Sequence, residues 1–138
     1  MGNRAYIKPH DMDAGIYLQW NGGPDSVSAF LEYCEKAGFR PDSLGFARLF
    51  QVIGNWFQGG LSIALWEGPF SMSANPGDNG IYEVRKWKVI RHMSADGQVQ
   101  DTPETVQAWM KENSEGYDKA QLLKDISASM PAGYRKFL

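Results

Sequence analysis

The sequence contains a single cysteine, and this scarcity is its first constraint. Cys34 is the only thiol in 138 residues, so no disulfide can form within the chain. Proteins that fold in reducing compartments typically lack disulfides. We therefore predict a cytoplasmic protein whose fold depends on its hydrophobic core, with Cys34 as a buried structural thiol on the apolar side of a helix.

Long apolar runs and targeting signals are also missing from the sequence. No stretch approaches the roughly 20 apolar residues that cross a bilayer. The first residues lack both the apolar core of a secretory signal and the serine or threonine that a myristoylation signal needs at position 6. These absences predict a protein that does not associate with membranes.

Histidine is scarce, and this limits the chemistry that the chain can perform. The two histidines, His10 and His92, are far apart in the sequence, and the spacing of His10, Asp11 and Asp13 matches no zinc site. No arrangement of serine, histidine and aspartate can be proposed either. We predict no catalytic residues, no metal and no cofactor.

Charge is close to balanced, whereas aromatic residues are plentiful. The formal net charge of −2 argues against a nucleic-acid-binding protein that works by bulk charge. Aromatic residues make up 13% of the chain and include five tryptophans. Tryptophan and tyrosine are favoured at protein–protein hot spots, so the aromatic content indicates either a tryptophan-rich core or a binding face.

A strand, a glycine turn and a helix are predicted over residues 15–31, GIYLQWNGGPDSVSAFL. Ile16, Leu18 and Trp20 alternate with polar or amphipathic residues, which is typical of a strand with one buried face. The residues Asn21-Gly22-Gly23 allow a sharp turn. Pro24 suits the first position of a helix, where no N–H is required.

The glycine turn resembles a known phosphate-binding loop. A turn that leads into a helix N-terminus presents backbone N–H groups to an anion, and the stretch is similar to the SGGxDS loop of the PP-loop ATP pyrophosphatase family. Four residues match that loop: Gly22, Gly23, Asp25 and Ser26. The resemblance implies that Ser26 and the loop amides hold phosphates, while Asp25 supports metal binding or loop shape.

The same stretch departs from the family pattern at two positions. Asn21 stands where the loop has its leading serine, and Pro24 removes one N–H from the phosphate cradle. The alternative interpretation is a glycine turn that opens a well-capped helix. Both interpretations stay open at this point.

The predicted elements follow the order strand-strand-helix-helix-strand-strand-helix-helix. This order predicts one α+β domain over residues 1–138, with a small, mostly antiparallel sheet of four to five strands. The sheet is expected to pack against two apolar helices, at about 24–37 and 44–58, and two further helices follow at the C-terminus. Gly54, within the second helix, predicts a close approach by another element.

Two strands in the second half of the chain carry more specific expectations. Residues 61–66 are predicted to form a strand with Leu61, Ile63 and Leu65 on one face. Residues 81–93 are predicted to form one long strand. Because the alternation changes phase between Val84 and Trp87, we expect a bulge near Arg85.

A basic segment in that long strand is a candidate binding surface. Its basic side chains flank Trp87: Arg85, Lys86, Lys88, Arg91 and His92. Such residues suit single-stranded nucleic acid, a solvated edge strand or an acidic protein partner. Together with the polar loop 67–80, which includes Asp78, and with Trp66, this segment is our predicted working surface.

A second resemblance concerns the whole chain. The strand-WNGG-helix opening and the stretch FARLFQVIGNWFQGGLSI resemble small proteins of bacterial and phage genomes whose activity is unknown, which implies an accessory or inhibitory role on a host protein. We therefore predict a non-catalytic macromolecule-binding protein with a protein partner. The alternatives are a nucleotide-binding protein or small enzyme that uses residues 21–26, and a single-stranded nucleic-acid binder that uses residues 85–92.

Overall fold

The computed structural model describes residues 3–57, 62–70, 74–114, 116 and 118–135. Within these residues the chain forms six strands and four α-helices. In chain order they are β1 (Ala5–Pro9), β2 (Ala14–Leu18), α1 (Pro24–Lys36), α2 (Ser43–Trp56), β3 (Ile63–Glu67), β4 (Ile81–Arg85), β5 (Lys88–Met93), β6 (Val99–Gln100), α3 (Pro103–Glu112) and α4 (Lys119–Ala128). The predicted α+β class is confirmed.

The strands form one mixed sheet in the order β3-β2-β1-β4-β5-β6. The β1–β4 pair is parallel and the other four pairs are antiparallel, so the predicted four to five mostly antiparallel strands become six strands with one parallel pair. Parallel pairing arises because the chain leaves β3 at one edge and returns on the far side of β1. Side-chain alternation carries no information about strand direction, so the sequence could not indicate this crossover.

The helices cover one face of the sheet. Ile7, Ile16 and Leu18 are fully buried and belong to the same hydrophobic cluster as Phe30 of α1 and Ile53 of α2. Their strand neighbours point to the opposite side, because successive side chains alternate between the two faces of a sheet. We call that opposite side the helix-free face. None of the helices in the described residues is long and apolar enough to cross a membrane.

Side chains cap the starts of α2 and α3. The Asp42 side chain accepts a hydrogen bond from the Gly45 N–H at 3.2 Å and so caps α2. Thr102 and Thr105 form a reciprocal capping box at the start of α3. These side chains satisfy N–H groups that have no partner within the helix, which is why both starts could be predicted from sequence.

The predicted long strand over residues 81–93 is wrong. The chain turns back at Lys86 and Trp87, which have φ angles of 50° and 62°, and β4 and β5 form an antiparallel hairpin. Positive φ at both central residues is the geometry of a type I′ turn, which usually contains asparagine and glycine. Because neither residue type is present, the phase change resembled a bulge. A register shift does occur between Glu83 and Val84.

Burial of the Trp87 ring accompanies this unusual turn. The indole is 6% exposed, and its Nε1–H donates to the carbonyl oxygen of Phe39 at 2.9 Å. Left-handed backbone costs a non-glycine residue about 1–2 kcal/mol. Burying a large aromatic side chain returns a comparable or larger amount, so the core contact stabilises the turn.

The first half of the chain matches its prediction more closely. β1 and β2, the first two strands of the predicted order, form an antiparallel pair, and α1 and α2 begin and end within two residues of the predicted bounds. Trp20 is an exception: it lies beyond the end of β2 and is 46% exposed. The predicted third strand begins at Ile63, and Leu61 lies outside the described residues.

The surroundings of Gly22 and Gly54 predict opposite effects of an alanine substitution on the free energy of unfolding. A Cβ on Gly22 would lie 2.5 Å from the Asn3 carbonyl oxygen. Among the described residues, a Cβ on Gly54 would meet Ile63 Cδ1 of β3 at 3.5 Å, an ordinary van der Waals distance, so β3 does approach this helix but does not require a glycine there. We expect Gly22→Ala to lower the free energy of unfolding by about 1–3 kcal/mol through overpacking. Gly54→Ala should raise it by about 0.5–1 kcal/mol, since alanine is the better helix former.

Urea denaturation of the two variants beside the unmodified protein measures both effects, and each variant serves as the control for the other. A Gly22→Ala protein as stable as the unmodified one would contradict the close backbone contact.

Candidate functional site

The glycine turn is occupied by contacts within the fold. The Gly22 N–H donates to the Asn3 carbonyl oxygen at 2.8 Å, and the Tyr82 hydroxyl donates to the Gly22 carbonyl oxygen at 2.8 Å. The turn therefore joins the segment before β1, the end of β2 and the buried Tyr82 of β4. The close approach at Gly22 explains its glycine without reference to a ligand.

Ser26, a second residue of the supposed phosphate cradle, also faces inwards. Ser26 is 2% exposed, and its hydroxyl accepts a hydrogen bond from the Asn21 side-chain amide at 3.2 Å. Gly23 occupies the helix N-cap position, and Pro24 has no N–H to offer. β2, which leads into the turn, is antiparallel to both of its neighbours. Asp25 lines a pocket of about 200 Å³ that also borders Lys111 and Lys119.

Asp78, a predicted partner-binding residue, has a structural role. Its carboxylate accepts hydrogen bonds from the Arg4 backbone N–H at 3.0 Å and from Arg4 Nε at 2.9 Å. These bonds from Arg4 hold the pKa of Asp78 below its usual range. The ion pair fastens the loop before β4 to the start of β1.

The predicted basic strip is divided between different surroundings. Arg85 and Lys86 are exposed at the hairpin tip, and Lys88 Nζ lies 3.2 Å from Glu35 Oε1 of α1. Trp87 and His92 are buried on the helix side. Arg91 points to the helix-free face, opposite Glu83 of β4.

The helix-free face carries an aromatic cluster at the β3 end of the sheet. Trp66 stacks on Tyr6, with ring centroids 5.2 Å apart and planes at 18°. Tyr17 and Phe70 contact the same Tyr6 ring edge-on, at 5.7 and 5.4 Å. Tyr6 is buried by these neighbours, while Trp66 remains 37% exposed. The cluster therefore presents one rigidly supported indole to solvent.

A polar pocket of about 140 Å³ lies on the same face. Its lining comes from β1, β4 and β5 and from the segments before β2 and after β3: Lys8, Asp13, Phe70, Ile81, Glu83, Arg91 and Met93. Lys8 Nζ pairs with Glu83 Oε1 at 3.1 Å, and Asp13 Oδ1 accepts a hydrogen bond from the Phe70 N–H at 3.3 Å. Arg91 has no ion pair or hydrogen bond among the described residues. Its guanidinium is therefore a charge of this pocket that makes no ion pair among the described residues, and the same is true of the Asp13 carboxylate.

The sequence drew attention to Trp66 and Arg91 but not to the residues that lie between them on the same face. Tyr6, Lys8 and Glu83 lie on β1 and β4, whose parallel pairing the sequence did not indicate. Alternation in β1 did contain a usable signal, because Tyr6 and Lys8 alternate with the apolar Ala5 and Ile7.

Metal ligands do not come together in the part of the chain that the structure describes. No group of three or more histidine, cysteine, aspartate or glutamate side chains is placed to hold an ion there. Cys34 is fully buried, which confirms the predicted structural thiol, and burial raises its pKa. A raised pKa disfavours the reactive thiolate.

The sequence matches no protein-family model, and neither a curated protein nor a solved structure matches it. The function of this chain is therefore inferred from its own residues.

A buried aromatic column lies beneath the sheet on the helix side. The His92 ring stacks on Trp109 of α3, with centroids 3.8 Å apart, and lies 4.7 Å from the Tyr82 ring. His92 Nε2 is 2.5 Å from the Asn79 carbonyl oxygen, which can only accept, so Nε2 carries the proton. Nδ1 is buried without a partner among the described residues. Burial lowers the pKa of His92.

Because of His92, we expect the free energy of unfolding to begin to fall at a pH above the range in which carboxylates titrate. An unfolded histidine titrates near pH 6.5, whereas the folded one stays neutral to lower pH, so the unfolded state binds more protons as the pH falls. Its contribution to stability is therefore complete above about pH 6.5 and is lost progressively below it, by up to about 1.4 kcal/mol per pH unit. Urea denaturation at several pH values between about 5 and about 8 measures this slope.

The second histidine supplies the matched control for that slope. His10 is exposed, so His10→Gln removes a histidine without disturbing the buried ring stack and gives the reference slope. His92→Gln should flatten it, whatever it does to the stability at neutral pH. Equal slopes in the unmodified protein and in His92→Gln would refute the assignment.

Proposed function

We propose that this chain is a non-catalytic protein-binding module that recognises an acidic segment of its partner on the helix-free face. The observation that carries the proposal is the placement of a partly exposed, stacked Trp66 on the same face as Arg91, which makes no ion pair among the described residues. Tryptophan and arginine are the residue types most enriched at interface hot spots.

Trp66 supplies the apolar part of the proposed contact. Its ring is held against Tyr6, so little side-chain freedom remains to be lost when a partner covers it. Preorganised aromatic groups bind with a smaller entropic cost than mobile ones. The exposed part of the indole is therefore well suited to anchor a partner.

Arg91 supplies the charged part and determines the chemistry of the partner. The other charges of the pocket already have contacts, since Lys8 pairs with Glu83 and the Asp13 carboxylate accepts from Phe70. An arginine fork matches a carboxylate with two parallel hydrogen bonds. An aspartate or glutamate of the partner would complete the pocket. The exposed Arg85 and Lys86 at the hairpin tip add positive charge that speeds association with an acidic surface.

A protein partner accounts for these residues better than the two alternatives. Nucleotide binding at residues 21–26 would require groups that already hydrogen-bond within the fold, such as the Gly22 amide. Base stacking in the basic strip would require the Trp87 ring, which is buried. Neither alternative involves Trp66 and Arg91 as a pair.

The setting that we propose is the cytoplasm, in agreement with a chain whose only cysteine is buried and unpaired. A small binding module without catalytic residues suits the role of an accessory protein or an inhibitor that occupies a surface of a host protein. This role extends the resemblance to small phage and bacterial proteins.

Affinity capture with the tagged protein, followed by calorimetry on the captured partner, tests the proposal. We expect Arg91→Ala and Trp66→Ala each to weaken binding by about 1–3 kcal/mol, or roughly 5- to 150-fold. Arg91→Lys should recover only part of the loss, because an ammonium cannot form the two parallel bonds.

Arg48→Ala is the matched control, because Arg48 lies on α2 and its removal changes the net charge equally. Its affinity should equal that of the unmodified protein. A partner that binds Arg91→Ala and Trp66→Ala as tightly as the unmodified protein would place the interaction elsewhere.

A further inference from the structure

The two edges of the sheet differ in how well they are protected. β6 is two residues long, and a short edge strand offers little template for another chain. β3 is five residues long, contains neither lysine nor proline and has a single charge, Glu67, at its end. No strand of the described chain pairs with its outer side. Natural edge strands are usually protected by shortness, lysine or proline. β3 has none of these protections, so its outer side is available to pair with another strand.

The hydrogen bonds to β2 show which groups of β3 face outwards. Gln19 N–H donates to the Ser62 carbonyl oxygen at 2.8 Å, and Gly68 N–H donates to the Asp13 carbonyl oxygen at 2.6 Å. The backbone groups of positions 62 and 68 therefore point towards β2, and so, by alternation, do those of 64 and 66. Ile63, Leu65 and Glu67 carry the N–H and C=O groups of the free edge.

This outward set is symmetric about Leu65. We propose that a second copy of this chain pairs with β3, antiparallel and two-fold symmetric, with Leu65 opposite Leu65. Ile63 of each chain then lies opposite Glu67 of the other, and every outward group gains a partner in about six hydrogen bonds. The proposal concerns the β3 edge and does not depend on the pocket around Arg91, although Trp66 borders both surfaces.

Side chains on the helix side fit the same symmetry. Leu65 is 70% exposed and stands at the rim of an apolar groove of about 160 Å³ between α2 and the sheet. Met12, Phe46 and Phe50 line that groove. An apolar cavity of about 150 Å³ holds a benzene molecule, so the groove has room for a leucine side chain. In the symmetric pair, each Leu65 reaches the groove of the other chain.

The other face and the charges are also compatible with self-pairing. Ala64 lies opposite Trp66 of the other chain on the helix-free face, so a small residue meets a large one. The two Glu67 side chains are four residues apart along the pair, or about 13 Å, which exceeds the screening length of about 8 Å at physiological salt. Isologous interfaces of this kind are the commonest in soluble oligomers.

Sedimentation equilibrium from about 1 to 500 µM, a range that spans weak to moderate dimers, is the first test. We expect the unmodified protein to approach twice the chain mass as its concentration rises. Leu65→Lys should raise the dissociation constant at least about tenfold, while circular dichroism and the thermal midpoint verify that it is folded. Val99→Lys, on the β6 edge, is the matched control and should dimerise as the unmodified protein does.

Crosslinking provides a second measurement that does not require a destabilising change. Opposed residues in a hydrogen-bonded antiparallel pair have Cα atoms about 5.5 Å apart, so Leu65→Cys should form a covalent dimer with a short bismaleimide. Val99→Cys should not, and the native Cys34 is buried and will not compete.

A protein that stays monomeric at every concentration, and whose Leu65→Cys variant crosslinks no more than Val99→Cys, would overturn the proposal. A dimer that persists in Leu65→Lys would also overturn it, because the contact would then lie on another surface. Neither result bears on Arg91, because all the residues that line its pocket belong to one chain.

Discussion

The structure depends on one asymmetry, which is that its described α-helices lie on one side of the sheet, where α4 packs against α1. Ile7, Ile16 and Leu18 are buried against α1 and α2, whereas alternate residues of the same strands face a side without helices. That side must limit its apolar exposure by other means. Stacked aromatic rings and the Lys8–Glu83 ion pair serve this purpose, and they leave Trp66 and Arg91 as the groups whose contacts are incomplete.

The sequence predicted the elements whose signals are local. Asp42 and Thr102 are local signals of a helix start, because a capping side chain bonds to a backbone N–H within three residues of its own position. The alternation around Ile16 and Leu18 predicts a strand with one buried face for a similar reason. By contrast, the parallel β1–β4 pair joins residues more than seventy positions apart, and no periodicity within either strand encodes it.

The candidate site could be predicted only in part for the same physical reason. Trp66 and Arg91 stood out as aromatic and basic residues, but their common face results from the strand order. The glycine turn illustrates the reverse case. Its residues suggest an anion site locally, yet Gly22 is required because the Asn3 carbonyl leaves no space for a side chain. A short motif therefore gives different expectations before and after its neighbours are known.

The hairpin tip at Lys86 and Trp87 has a consequence for how this chain can vary in evolution. Hairpin tips usually tolerate change because their residues serve only the backbone. Here one residue both adopts the left-handed conformation and fills space beside Phe39. An asparagine–glycine pair would suit the backbone but would leave a void where the indole lies. Homologous chains should therefore retain a large aromatic residue at this tip, and its loss should be accompanied by larger side chains in the surrounding core.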